Sequence, residues 1–209
     1  MGTAVLILGD SGSGKSTSLR NFKKDEVGVL NVLGKRLPFK GELACVQHAN
    51  YGSIQEKLKD NKLRAYVIDD AGYLMSLENF RRAKETGYQK FTDMALNFER
   101  LIEWATQTDE DTIVYIMMHY DRDADGRGKP KTIGKMLDEK FNIEGACPIV
   151  LQSTIVDGKH VFVTKGDGMN AAKAPMGMLP DVMDNDLKLV DAKIREYWGM
   201  APLKKGGKQ

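Results

Sequence analysis

The segment Gly9-Asp10-Ser11-Gly12-Ser13-Gly14-Lys15-Ser16 carries the clearest chemistry in this chain, because its residues fit the spacing GxxxxGK[ST]. Glycines at these steps let the backbone curl until successive N–H groups face one anion, and a helix beginning there adds the positive end of its dipole. In such a bend Lys15 would reach the outer phosphates of a nucleoside triphosphate, Ser16 would give its hydroxyl to Mg²⁺, and Thr17 would bond a phosphate nearer the base. The motif has meaning only between a strand and a helix. Thr3 to Leu8 is a short apolar run and Lys15 to Phe22 is helix-compatible, so the required context is present.

A divalent ion in that bend needs an acid from a neighbouring strand. Ala65-Tyr66-Val67-Ile68-Asp69-Asp70 supplies two at a strand's C-terminal end, the edge where ligands bind in open α/β sheets. Asp69 is the expected metal-shell residue. Asp70 is the candidate to orient or deprotonate an attacking water, and its plainer reading is the N-cap of a following helix. His119 closes the apolar run Thr112 to Met118, a strand expected beside the first; it would touch the terminal phosphate or its water, or be merely solvated.

Other patterns compete. Asp69-Asp70-Ala71-Gly72 fits DxxG, Thr164-Lys165-Gly166-Asp167 fits [NT]KxD, and Ala171-Ala172-Lys173 mimics a third guanine-reading motif. The last two crowd together after one strand, and the paired acids Asp69-Asp70 are typical of ATPases, which favours ATP over GTP. A small-molecule kinase would need an arginine-rich lid, and the segment after Met118 is as acidic as it is basic. Asp121 to Gly126 imitates an EF-hand start, but the twelfth position is Thr132 rather than glutamate. Cys45 and Cys147 form no CxxC pair and are expected to be reduced, buried and small. With His48, His119 and His160 they show no zinc spacing.

Strands and helices alternate around these residues. Further strands are expected at Val27 to Leu33, Leu43 to Gln47 and Arg64 to Ile68. A short helix is expected at Ser53 to Asn61, capped by Ser53 with Glu56 three residues on. Tyr88, Phe91, Met94, Ala95, Phe98, Leu101, Ile102 and Ala105 form one helical stripe. Asp121 to Lys131 reads as a polar loop and Arg122 to Lys135, with five basic residues and two acids, as a flexible basic stretch near the nucleotide; Thr132 to Phe141 reads as a helix, and Ile149 to Val156 with His160 to Lys165 as a hairpin turning at Asp157-Gly158. Asp186 to Trp198 is a last amphipathic helix. The expected fold is therefore α/β, a mostly parallel twisted sheet flanked by helices, with a C-terminal antiparallel hairpin.

The 209 residues are 42% hydrophobic and 29% charged, with 31 Lys+Arg against 29 Asp+Glu, which suits one folded domain of residues 1–199. No apolar run approaches the ~20 residues of a membrane span. No secretory leader is evident before the strand at Thr3, so a cytoplasmic location is expected. The net charge of +2 depends on a basic, flexible tail at 200–209 with Lys204, Lys205 and Lys208; without it the body stands at −1. Any contact with nucleic acid must then come from a local patch, for which Arg127, Lys129, Lys131 and Lys165 are candidates, a solvated surface being the plainer reading.

The phosphate-binding bend, the strand end Val67 to Asp70, Arg82-Ala83-Lys84-Glu85-Thr86-Gly87-Tyr88, Lys131-Thr132-Ile133-Gly134-Lys135-Met136-Leu137 and Ala172-Lys173-Ala174-Pro175-Met176-Gly177-Met178 occur together in order. As a set, running from about Val5 to Tyr197, they resemble the phage-encoded RecA-like P-loop ATPases, including the short single-strand-annealing recombinases. The resemblance implies a RecA-like P-loop NTPase core that binds ATP and Mg²⁺, forms homo-oligomers with ATP between subunits, and acts on single-stranded DNA in recombination in the host cytoplasm, with a single-strand-binding protein as a further partner. It implies that a basic residue from a neighbouring subunit completes the site, for which Lys173, and after it Lys165, stand in the right stretch. Gly166 to Gly177 lies where such proteins carry a DNA-binding loop. Two features depart from the pattern. Where the family has a catalytic glutamate after the second strand, this chain has Leu33, Gly34 and Lys35, leaving Asp70 or Glu42 to substitute. With a first strand expected at Thr3, the amino-terminal segment that links filament subunits in the family is not expected before it, and the mode of assembly is left open. The alternative is a nucleotide-dependent scaffold without DNA contact.

Overall fold

The register of the parallel strands is set by their hydrophobic pattern. In β1 (Thr3–Leu8), Ala4, Leu6 and Leu8 face one core and Val5 and Ile7 the other, so the strand is buried on both sides and belongs at the centre of a sheet covered by helices. A computed structural model of the chain describes residues 1–203, with Lys135 and Asp138 described by backbone alone. Its other strands are β2 (Gly28–Asn31), β3 (Ala44–Gln47), β4 (Ala65–Asp69), β5 (Ile113–Met118), β8 (Ile149–Val156), β9 (Lys159–Val163) and β10 (Val182–Asp184). They form one eight-stranded sheet in the order β10-β9-β8-β1-β5-β4-β2-β3. The six strands from β8 to β3 run parallel; β9 and β10 are antiparallel additions at one edge.

Helices α1 (Tyr51–Asp60), α2 (Gly72–Arg81) and α3 (Gln89–Thr106), with the short α4 (Lys135–Lys140) and α5 (Ile143–Ala146), cover one face. The 3-10 helix Ser16–Asn21 and α6 (Leu187–Trp198) cover the other. The molecule is thus a three-layer α/β domain with a mostly parallel mixed sheet, as its alternating sequence implies. Among the described residues no helix is long and apolar enough to cross a membrane.

Several expectations are corrected. The helix after the glycine-rich bend is a six-residue 3-10 turn, because buried Phe22 leaves it in extended conformation. The α1 cap is Asn50 rather than Ser53: the Asn50 side chain accepts from the Ser53 N–H while the Ser53 hydroxyl accepts from the Asn50 N–H, a reciprocal pair. The expected loop at Asp121 to Lys131 contains a small hairpin, β6 (Tyr120–Arg122) with β7 (Gly128–Pro130). Its turn is tied by the Asp123 carboxylate, which accepts from the N–H groups of Asp125 and Arg127. Helix α4 starts only after Gly134, whose φ of +93° no helix residue adopts. Residues 200–203 are not a free tail: the Arg195 guanidinium donates to Ala201 O, the Ala201 N–H donates to Asp111, and Arg64 donates to Pro202 O. Lys204, Lys205 and Lys208 lie outside the described residues.

The cover over the second face is anchored by a buried charge pair. Asp191 (0% exposed) accepts from the Tyr115 hydroxyl at 2.9 Å and from Arg195. All five N–H groups of Arg195 are used, on Asp191 and on the carbonyls of Asp111, Ala201 and Arg64. Removing one member strands the other charge in an apolar layer. Asp191→Ala is therefore expected to destabilise the fold by about 3–5 kcal/mol in urea unfolding, with Asp191→Leu combined with Arg195→Met recovering most of that loss.

Candidate functional site

Strand ends decide where the reactive groups meet. Leu8 is level with Met118 and Ile68 with Ile116, so the residues just past β1, β5 and β4 emerge side by side at one edge of the sheet. Gly9 to Ser16, Asp69 with Asp70, and His119 are thereby gathered around a cleft of about 290 Å³. Its walls also include Thr17, Lys35, Arg36, Pro38 and His160. A wider cleft of about 550 Å³ lies at the opposite edge, among Met1, Asn61 to Arg64 and Thr108 to Thr112. There Arg64 and Asp111 are paired with each other at 3.7 Å, and Lys62 and Met1 stand beside them.

The bend is a tight, buttressed structure. A Cβ on Gly9 would stand 2.5 Å from the carbonyl oxygen of Ser153, and Gly14 has φ +105° with Asn185 and His160 packed at about 3 Å from where its Cβ would be. The Ser13 carbonyl accepts from the Ser153 hydroxyl at 2.9 Å and lies 2.9 Å from His160 Nδ1. Asn185 in turn donates to Ser153, and its own carbonyl accepts from Arg20. The C-terminal hairpin and the segment after β10 therefore brace the bend from outside.

Inside it, Lys15 is 7% exposed and donates to Gly9 O at 2.7 Å and Asp10 O at 2.9 Å. Burial lowers its pKa, against the attraction of Asp70, Asp69 and Asp10. The Ser16 hydroxyl lies 3.0 Å from both carboxylate oxygens of Asp69. Burial, with repulsion from Asp70, raises the Asp69 pKa.

Asp70 does not cap α2. The helix begins at Gly72, with Ala71 at the cap position and no side-chain cap, and Asp70 contributes only its backbone carbonyl to the Tyr73 N–H. Its carboxylate instead accepts from Lys35 Nζ at 3.0 Å and stands 3.6 Å from His119 Nε2. Asp70 also has φ +60°, a left-handed conformation that a residue with a Cβ adopts at a cost of about 1–2 kcal/mol. His119 is half-buried, edge-on to the Tyr73 ring at 5.7 Å. Burial first and the Lys15 charge second lower its pKa, so it stands neutral near pH 7.

The donor set fits a small hard cation bound together with an anion. A hydroxyl and a carboxylate converge at the mouth of the glycine-rich bend, Ser13 Oγ is buried without a partner, and a Cβ on Gly12 would meet only open space. Among the described residues no three His, Cys, Asp or Glu side chains gather as a metal cage, and Mg²⁺, which keeps waters and phosphate ligands, needs none. Cys45 is half-buried rather than buried, Cys147 is buried with its thiol pushed up to about 12, and both are free.

Other expected residues lie elsewhere. Lys131 follows β7, donates its N–H to His119 O, and lines an adjoining cleft of about 360 Å³ with Asp10, Tyr73, Ser76 and Tyr120. Arg127 and Lys129 sit on the same hairpin, which is joined to the glycine-rich stretch through Gly128 N–H to Met169 O at 2.8 Å. Lys165 is paired with Asp181 at 3.3 Å, and Lys173 is bridged by its backbone to Val150; neither lines the cleft. Glu42 is excluded as a substitute acid: it is exposed, pairs with Lys24, and precedes β3 at the edge opposite the cleft. Lys35, His160, Ser153 and Asn185 were not expected at the site, because only the completed sheet order brings their loops to it.

Compared with known proteins, the chain matches no family model and no curated protein significantly. Fold and site together define an α/β domain with a glycine-rich, lysine-bearing bend at the C-terminal edge of its parallel strands. Gly14→Ala should lower stability by about 1–3 kcal/mol and speed amide hydrogen exchange across residues 11–16. His160→Ala, which removes one contact to the Ser13 carbonyl, should speed the same exchange with a loss of about 1 kcal/mol.

Proposed function

We propose that this chain is a Mg²⁺-dependent, RecA-like P-loop ATPase that acts on single-stranded DNA. The observation that carries the nucleotide half is the meeting of the Ser16 hydroxyl with both oxygens of Asp69 at 3.0 Å, beside a lysine held within the glycine-rich bend. Bound there, Mg²⁺ would neutralise charge on the outer phosphates. Ser16 and Asp69 would hold it, and Lys15 would exchange the loop carbonyls for phosphate oxygens. Asp70 and His119 line the same cleft and would orient the attacking water.

Two observations favour ATP hydrolysis over the alternatives. Strand β5 lies between the bend strand β1 and the acid strand β4, the arrangement expected of the ATPase branch. The Asp167 carboxylate, which would read guanine in a GTPase, accepts from the N–H groups of Met169 and Asn170 and so shapes its own turn.

The DNA half rests on the family resemblance and on one juxtaposition. The hairpin bearing Arg122, Arg127 and Lys129, with Lys131 at its exit, contacts the Gly166 to Gly177 stretch and adjoins the cleft through His119. A strand lying on that surface would feel the nucleotide through Lys131 and His119. Lys173, outside its own cleft, is the residue offered to a neighbouring subunit in a homo-oligomer.

The test measures ATP turnover and binding of a labelled single-stranded oligonucleotide at two salt concentrations. Wild-type protein should hydrolyse ATP and bind the oligonucleotide more weakly as salt rises, with a log–log slope of about −0.7 per phosphate contact. Lys15→Ala should lower turnover by roughly 10²-fold or more. Turnover without any oligonucleotide binding would favour the scaffold reading, and full turnover in the variant would remove the bend from the reaction.

A further inference from the structure

The acid that follows β4 has a cationic partner that no feature of the phosphate-binding motif calls for. Asn31, the last residue of β2, is 1% exposed and in register with Asp69. Its side-chain oxygen accepts from the Gly34 N–H at 2.8 Å and its amide donates to Lys35 O at 2.7 Å. The turn after β2 is thereby locked, which fixes the Lys35 backbone at the strand-end level of the cleft. From there the Lys35 side chain crosses to Asp70, with its ammonium also 5.5 Å from the centroid of the Tyr73 ring.

The two partners differ in freedom. The Asp70 side chain is 12% exposed and held by a left-handed backbone, whereas that of Lys35 is 62% exposed. A solvent-screened ion pair of this kind is weak and exchangeable. The same cleft holds Lys15 and Ser16, so an anion gripped by the bend lies within the field of Lys35. A terminal phosphate carries more charge than one carboxylate and accepts several charge-assisted hydrogen bonds at once.

Resting on the reading of the bend as a nucleotide site, we infer that Lys35 is a second phosphate-contacting lysine, supplied within the subunit by the β2–β3 loop, which passes from Asp70 to the terminal phosphate of a bound triphosphate. A diphosphate offers no oxygen at that depth and leaves Lys35 on Asp70. The exchange gives the site its preference for triphosphate over diphosphate. It also releases the Asp70 carboxylate to accept a hydrogen bond from water when the terminal phosphate is present. Thus the place where a glutamate was expected is filled by a cation, and the acid role moves across the cleft to Asp70.

The test is equilibrium binding of fluorescently labelled ATP and ADP, with Mg²⁺, to the full chain and its variants. Lys35→Ala should weaken ATP binding by about tenfold, the loss of one charge-assisted hydrogen bond, while ADP binding stays within about twofold. Lys35→Arg should keep most of the preference, and Lys35→Gln should repeat the alanine result. Asp70→Asn, which frees Lys35, should tighten ATP binding and leave ADP unchanged. Equal effects of Lys35→Ala on both nucleotides, or none, would overturn the inference while leaving the nucleotide site standing. If wild-type protein bound neither nucleotide, the reading of the bend would fall, and this assignment with it.

Discussion

The contact between Ser16 and Asp69 is the joint on which the arrangement turns. It links the first residue after the bend to the last residue of β4, across the intervening β5, and it sets how far the bend stands from the acids. Asp69 is buried and Ser16 half-buried, so the carboxylate would not be tolerated at its strand end unless it had a partner or a ligand to meet. The parallel register supplies the alignment, because three consecutive strands end at one level and present their following residues to one space.

Around that joint each charged group has a polar partner, though only one pair is ionic. Lys15 lies against loop carbonyls and Lys35 against Asp70, while Asp69 is held by a hydroxyl rather than a cation. Burial disfavours the charged forms of both Lys15 and Asp69, so a ligand that brings anion and cation together relieves both at once. The rest of the fold keeps these groups from relaxing. The hairpin and the segment after β10 hold the Ser13 carbonyl, Asn31 holds the Lys35 turn, and the Asp191–Arg195 pair fastens α6 over the face beneath.

What the sequence discloses is what depends on neighbours along the chain. The bend, the strand before it, Asp69 and the long helix α3 all follow from local spacing and apolar period, and each is found within a residue or two of its expected place. The position of β5 beside β1 is likewise found as read. Residues that reach the site from other loops were illegible for a physical reason. His160 matters only because β9 folds back beside β8, and Lys35 only because the Asn31 side chain shapes a turn that no motif describes. Asp70 was read either as a cap or as a reactive acid. Its positive φ, invisible in the sequence, turns its carboxylate away from the helix and toward Lys35.

Calorimetric titration of the purified chain with ATP, in the presence and absence of Mg²⁺, tests the central claim most directly. Saturable binding at one nucleotide per chain, weakening sharply when Mg²⁺ is withheld, is the expected result. No binding with Mg²⁺ present, or binding indifferent to the ion, would contradict it.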